Sequence, residues 1–136
     1  MKFRKFQQNK LWRDKLVERM ELMGSKVHWT RLDDAAFSSE LKIKFMEEAQ
    51  EVHAAQTKEA LLEELADVLE VISSFCDVHD FTLQDIMAIQ EKKRQDRGGF
   101  KERKFVTIAE HQEDSFGEKY CLADPNKYPE IKEEIV

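Results

Sequence analysis

The sequence predicts an all-α domain: a four-helix bundle with a short two-stranded accessory and a loop-rich C-terminal tail. Three observations predict it. Apolar residues recur at steps of three and four in successive segments up to Gly98-Gly99, the period that lines one face of a helix. Only 4 Gly and 2 Pro occur, too few for the many turns of a sandwich or barrel. Charged residues make up 37% of the 136 positions and hydrophobic ones 41%, a balance suited to helices with one solvated and one buried face.

The first helix is expected between Asn9 and Met23, where Leu11, Trp12, Leu16, Met20 and Met23 share a face and Gly24 is a natural stop. Val27 to Leu32 alternates enough for a short strand or an extended connector. Asp33 or Asp34 can cap the second helix, since a carboxylate accepts from the free amides of the first turn. Phe37, Leu41, Phe45 and Ala49 then mark its buried face, and it should run to about Ala55. Thr57 caps the third helix, whose Leu61, Leu62, Leu65, Val68, Leu69, Ile72 and Phe75 form a wide apolar face suited to the middle of a bundle. Thr82 with Asp85 makes a capping box for the fourth, which runs through Ile86, Ile89 and Lys93 to the Gly98-Gly99 pair. Beyond it, 101–110 has the β-branched content of one strand, able to pair with 27–32. From His111 the chain changes character, with Pro125, Pro129 and scattered aromatics. Residues 1–110 are therefore expected to form the domain and 111–136 a tail.

Composition excludes several classes of function. The net charge of −6 argues against duplex nucleic acid as a partner, because such affinity comes from Lys and Arg neutralising phosphates. No apolar run is long enough to span a bilayer, and the N-terminal residues lack the apolar stretch of a signal peptide. A cytoplasmic location without a membrane partner is expected. Cys76 and Cys121 have no ligand-type spacing, and Cys76, in an apolar helix, reads as a buried free thiol.

Against this background the stretch from Lys44 to Phe75 stands out. It crowds Glu47, Glu48, Glu51, Glu63, Glu64, Asp67 and Glu70 among apolar residues. At about 100° per residue, Glu47, Glu48 and Glu51 span an arc of about 100°, and Glu64 and Asp67 lie about 60° apart. Most acidic combs are solvated surfaces. Here, however, basic partners at helical spacing are sparse, Ala49 and Ala66 allow close helix approach, and Phe45, Met46, Leu65 and Val68 adjoin the acids. Two combs facing each other would set like charges about 6 Å apart, a repulsion of roughly 3 kcal/mol per pair at an effective dielectric near 20. A divalent cation relieves it, and an all-oxygen ligand set favours Mg²⁺ or Mn²⁺ over zinc.

The order Glu47-Glu48-Ala49-Gln50-Glu51, then Glu64-Leu65-Ala66-Asp67, resembles the E-E-x-x-E and E-x-x-D motif of the all-alpha nucleoside triphosphate pyrophosphohydrolases of the MazG type. "NKLWRDKL" at 9–16 and "KKRQDRGGF" at 92–100 are similar to the opening and closing segments of its phosphoribosyl-ATP pyrophosphohydrolase-like, house-cleaning branch. The resemblance covers residues 9 to about 106. Trp12 departs from the aliphatic residue expected at its position, a change that bears on packing before chemistry.

The resemblance implies that Glu48, Glu51, Glu64 and Asp67 bind Mg²⁺. Glu47 would be a further ligand, or the group that orients and deprotonates the attacking water. The reaction implied is cleavage of a nucleoside triphosphate between its α and β phosphates, giving a monophosphate and pyrophosphate. A triphosphate needs more positive charge than the metal supplies, and the two resembling segments offer Lys10, Arg13 and Lys15, then Lys93 and Arg97. Asp14 would orient Arg13 through a salt bridge. Trp29 is assigned to packing before base stacking, and His53, with no second His at ligand spacing, to a surface or hydrogen-bonded role before metal binding. Members of the superfamily are commonly dimers or larger, so a homo-oligomer is expected. Phosphoribosyl-ATP as substrate, and a catalytically silent helical interaction module, are the competing readings.

Overall fold

The computed structural model describes residues 2–132. Among them the chain is all-helical, with α1 Asp14–Leu22, α2 Asp34–Ala54, α3 Lys58–His79, α4 Leu83–Arg97 and α5 Phe116–Leu122. It divides into two compact units, one ending at Arg97 and the other beginning at Gly98.

The helix boundaries in the first unit follow from local chemistry. Asp33 Oδ1 accepts from Ala36 N at 2.8 Å and starts α2. Thr57 Oγ1 accepts from Ala60 N at 3.1 Å and starts α3. The expected capping box opens α4: Thr82 N donates to Asp85 Oδ2 at 2.8 Å and Asp85 N donates to Thr82 Oγ1 at 3.1 Å. Helix α1 begins later than expected, at Asp14, because Asn9 adopts a left-handed conformation (φ 49°) and Arg13 an extended one, neither of which continues a helix.

Helix α2 packs along α3, and α3 makes a short contact with α4. The three-residue link at 55–57 makes α2 and α3 a hairpin, and at its open end Ser38 Oγ lies 2.9 Å from His79 Nε2. Its seam is apolar near that open end, where Leu41, Val71 and Cys76 are buried. Toward the turn it becomes acidic, with Glu48 only 6% exposed.

Several expectations fail here. Neither 27–32 nor 101–110 forms a strand. A lone pair of strands is marginal without a surface to pack on, and Arg103 breaks the second segment with a left-handed backbone (φ 56°). Phe45 and Ala49 are exposed rather than buried. The face carrying Leu61, Leu62, Leu65 and Leu69 is exposed too, Leu62 by 60%, because the seam is occupied instead by Ala60, Glu64, Asp67, Val68 and Val71. Cys76 is the buried free thiol expected.

The second unit contains a helix where the sequence suggested only loops. Ser115 Oγ accepts from Glu118 N at 3.3 Å, and Glu118 Oε1 accepts from Asp114 N at 3.2 Å. Ser115-Phe116-Gly117-Glu118 thus contains the Ser-x-x-Glu start signal, in a helix too short for periodicity to announce. At Gly117 a Cβ would meet the His111 side chain, so a larger residue there would displace that ring.

Candidate metal centre

Four of the five acids of the two motifs converge. One carboxylate oxygen from each of Glu48, Glu51, Glu64 and Asp67 lies within 4.8 Å of the others. The hairpin explains the meeting: Glu48 and Glu51 stand one turn apart on α2, Glu64 and Asp67 one turn apart on α3, and the antiparallel seam brings the two pairs together. This group of acids could hold a metal ion.

Crowding and burial both act on the cluster. Burial raises the Glu48 carboxyl above its ordinary value, with a hydrogen-bond contact to Glu51 and repulsion from Glu51 and Asp67 adding to it and Lys44 opposing it. Glu64 is raised first by its hydrogen-bond contact with Glu51, then by desolvation and by neighbouring charges. Glu48 Oε2 and Glu64 Oε2 are buried without a hydrogen-bond partner. A buried carboxylate oxygen without a partner is costly, and both orphaned oxygens belong to the same four-acid group. Hard oxygen donors in this number suit a divalent cation, so the residues present fit one.

A pH prediction follows from these shifts. With a raised carboxyl, the folded state binds the proton more tightly than the unfolded state, whose value is near 4.5. Stability therefore falls as pH rises from that value through the folded-state value, and the loss is complete above it. In chelator-treated protein, the melting temperature of wild type relative to the Glu48→Gln/Glu64→Gln variant should decline across this interval.

Cations rim the acids. Arg13 Nη2 donates to Asp67 Oδ1 at 2.7 Å, a charge-assisted bond from the N-cap of α1 to α3. This corrects the expected pairing with Asp14. The extended backbone at Arg13 carries its side chain toward α3, whereas Asp14 stays in the first turn of α1, where an acid suits the helix dipole. Glu47 lies outside the four-acid group, with Oε1 3.6 Å from Lys10 Nζ and 3.5 Å from Lys44 Nζ. Lys44 also reaches Glu48 Oε1 at 3.7 Å. It was not among the site residues expected from sequence, although its position three before Glu47 is visible there.

A cleft of about 280 Å³ adjoins the cluster and is lined by Lys10, Trp12, Arg13, Lys44, Glu48 and Asp67 among others. Lys15 is exposed on α1. Lys93 and Arg97 line a separate depression along α4 with Ile89, Lys92 and Asp96, which shares no residue with the acid cleft. Trp29 is 58% exposed, and the Arg31 guanidinium lies 5.5 Å from its ring centroid. His53 is exposed, as expected. No helix among the described residues is long and apolar enough to cross a membrane.

Compared with protein-family models, curated proteins and solved structures, the chain has no match in any of the three.

Proposed function

We propose that the chain is a Mg²⁺-dependent nucleoside triphosphate pyrophosphohydrolase of the MazG type, house-cleaning modified nucleotides in the cytoplasm. The observation that carries the proposal is the convergence of four motif carboxylates within 4.8 Å, two of them with a buried, unpartnered oxygen. Mn²⁺ is the natural substitute ion.

Glu48, Glu51, Glu64 and Asp67 hold the ion. When bound, Mg²⁺ supplies Lewis acidity toward the phosphate oxygens. Glu47, beside Glu48 but outside the four-acid group, would take the proton of the attacking water. Lys44, bridging Glu47 and Glu48, keeps these two carboxylates in fixed relation. Lys10 and Arg13, at the rim of the acid cleft, bind phosphate oxygens; Arg13 exchanges Asp67 for the substrate to do so. Lys93 and Arg97 line a different depression and Lys15 is outside the cleft lining, so none of the three is assigned a phosphate contact.

The exposed Leu62, Leu65 and Leu69 face supports a homo-oligomer. Two α2–α3 hairpins joined through it would supply four packed helices, the bundle that one chain does not close.

The test is pyrophosphate release from a panel of ordinary and modified nucleoside triphosphates and phosphoribosyl-ATP, with and without Mg²⁺. Release should require Mg²⁺ and fall at least about 100-fold in Glu48→Ala. Phosphoribosyl-ATP as the best substrate would move the protein to the competing enzyme class. Absence of release from every compound by a folded protein would reject catalysis.

A further inference from the structure

Trp12 occupies a place that the pattern of the sequence does not suggest. It stands in a short non-helical segment tied to both helices of the hairpin: Lys10 pairs with Glu47 of α2, and Arg13 pairs with Asp67 of α3. Asn9, with its left-handed backbone, turns the chain into this segment, and α1 starts only at Asp14. Trp12 is half-buried. It lines the same cleft as Glu48 and Asp67, together with apolar Leu16 and Met20.

The cleft lining therefore combines two kinds of surface: carboxylates and cations, and an indole with aliphatic side chains. A ligand that fits both has a polyanionic end, held through a cation and basic residues, and a flat apolar end. Nucleotides have this construction, because every nucleobase presents a π-face to an aromatic ring. Trp29 is the less suitable platform: it is 58% exposed, Arg31 lies over its ring, and it is not among the residues lining the cleft.

We infer that Trp12 is a binding residue for the nucleobase, stacking on the base of a nucleotide whose phosphates lie at the acid cluster. The inference rests on the nucleotide reading above and adds the base subsite to it. Stacking contributes affinity while tolerating different bases, so Trp12 sets the requirement for a base and leaves the choice among bases to other contacts.

The Trp29→Phe variant leaves Trp12 as the sole tryptophan of the chain's two. In that background, with Mg²⁺ present, two probes are titrated: an α,β-methylene nucleoside triphosphate, which resists cleavage, and tripolyphosphate, which has no base. Trp12 emission is expected to be quenched by the first and left unchanged by the second. By calorimetry, Trp12→Leu should weaken the nucleotide analogue about tenfold and leave tripolyphosphate within about twofold, while Trp12→Phe restores most of the loss.

Equal weakening of both probes would make Trp12 a structural residue and overturn the inference. Unquenched emission at saturating analogue would do the same. If wild type binds both probes equally, stacking alone is rejected; if it binds neither, the nucleotide reading falls with it. Should Trp12→Leu fail to fold, the emission titration and the Trp12→Phe affinity still decide the matter.

Discussion

Glu48→Gln is expected to stabilise the metal-free protein and abolish its activity. The carboxylate is 6% exposed, its Oε2 has no partner, and burial and the neighbouring Glu51 and Asp67 all oppose its charge. An amide of nearly the same shape removes that repulsion. It forfeits only loose ion pairing with Lys44, at 3.7 Å. A rise in melting temperature of about 2–5 °C in chelator is expected, equivalent to roughly 1 kcal/mol for a chain of this size. The same substitution removes a ligand from the four-acid group, so Mg²⁺ affinity and pyrophosphate release should each fall by about 100-fold or more. A residue serving only the fold would lose stability and function together. Opposite signs in the two readouts are the signature of a group retained for chemistry at a cost in stability.

Leu69→Glu is expected to cause the largest loss of stability. For a monomer the change would be nearly silent, since Leu69 is 50% exposed and surface substitutions usually stay within about 0.5 kcal/mol. The chain's buried apolar residues, however, are Leu41, Val71 and Cys76 among those described, a small core for its first unit. If Leu62, Leu65 and Leu69 are covered by a second copy, the glutamate removes an apolar contact from each chain and buries a charge in its place. The loss would be at least about 3 kcal/mol per dimer. Sedimentation should show wild type as an oligomer and the variant as a monomer or an unfolded chain. The wild-type melting temperature should also rise with protein concentration. A monomeric wild type whose melting is insensitive to both concentration and this substitution would reject the assembly.

The parts of the fold that could be read from sequence were those fixed by local chemistry. Asp33, Thr57 and the Thr82–Asp85 pair mark helix starts because each satisfies its own first-turn amides. Spacing also put Glu47, Glu48 and Glu51 on one face and Glu64 and Asp67 on another, while the choice of Glu48, Glu51, Glu64 and Asp67 as the ligands came from the resemblance. What could not be read was the choice between two faces of α3. Its leucines advertise a core, yet the seam with α2 takes Glu64 and Asp67, and periodicity alone does not say which partner covers an apolar stripe. Arg13 was selected for its charge, but its Asp67 partner lies 54 residues away in sequence, beyond any spacing rule. Trp12 was assigned to packing because nothing in its own segment shows that Lys10 and Arg13 tie it to α2 and α3, beside a cleft that Glu48 and Asp67 also line. Helix α5 had a readable start at Ser115, missed because seven residues cannot establish a period.

The central claim is that Glu48, Glu51, Glu64 and Asp67 form a divalent-cation site, and Mn²⁺ titration followed by electron paramagnetic resonance tests it most directly. Wild type should deplete the free-Mn²⁺ signal saturably and release the ion when Mg²⁺ is added, whereas folded Glu64→Gln should leave the free signal almost undiminished. A wild-type protein that leaves the free-Mn²⁺ spectrum unchanged throughout, or a Glu64→Gln variant that binds as wild type does, would contradict the claim.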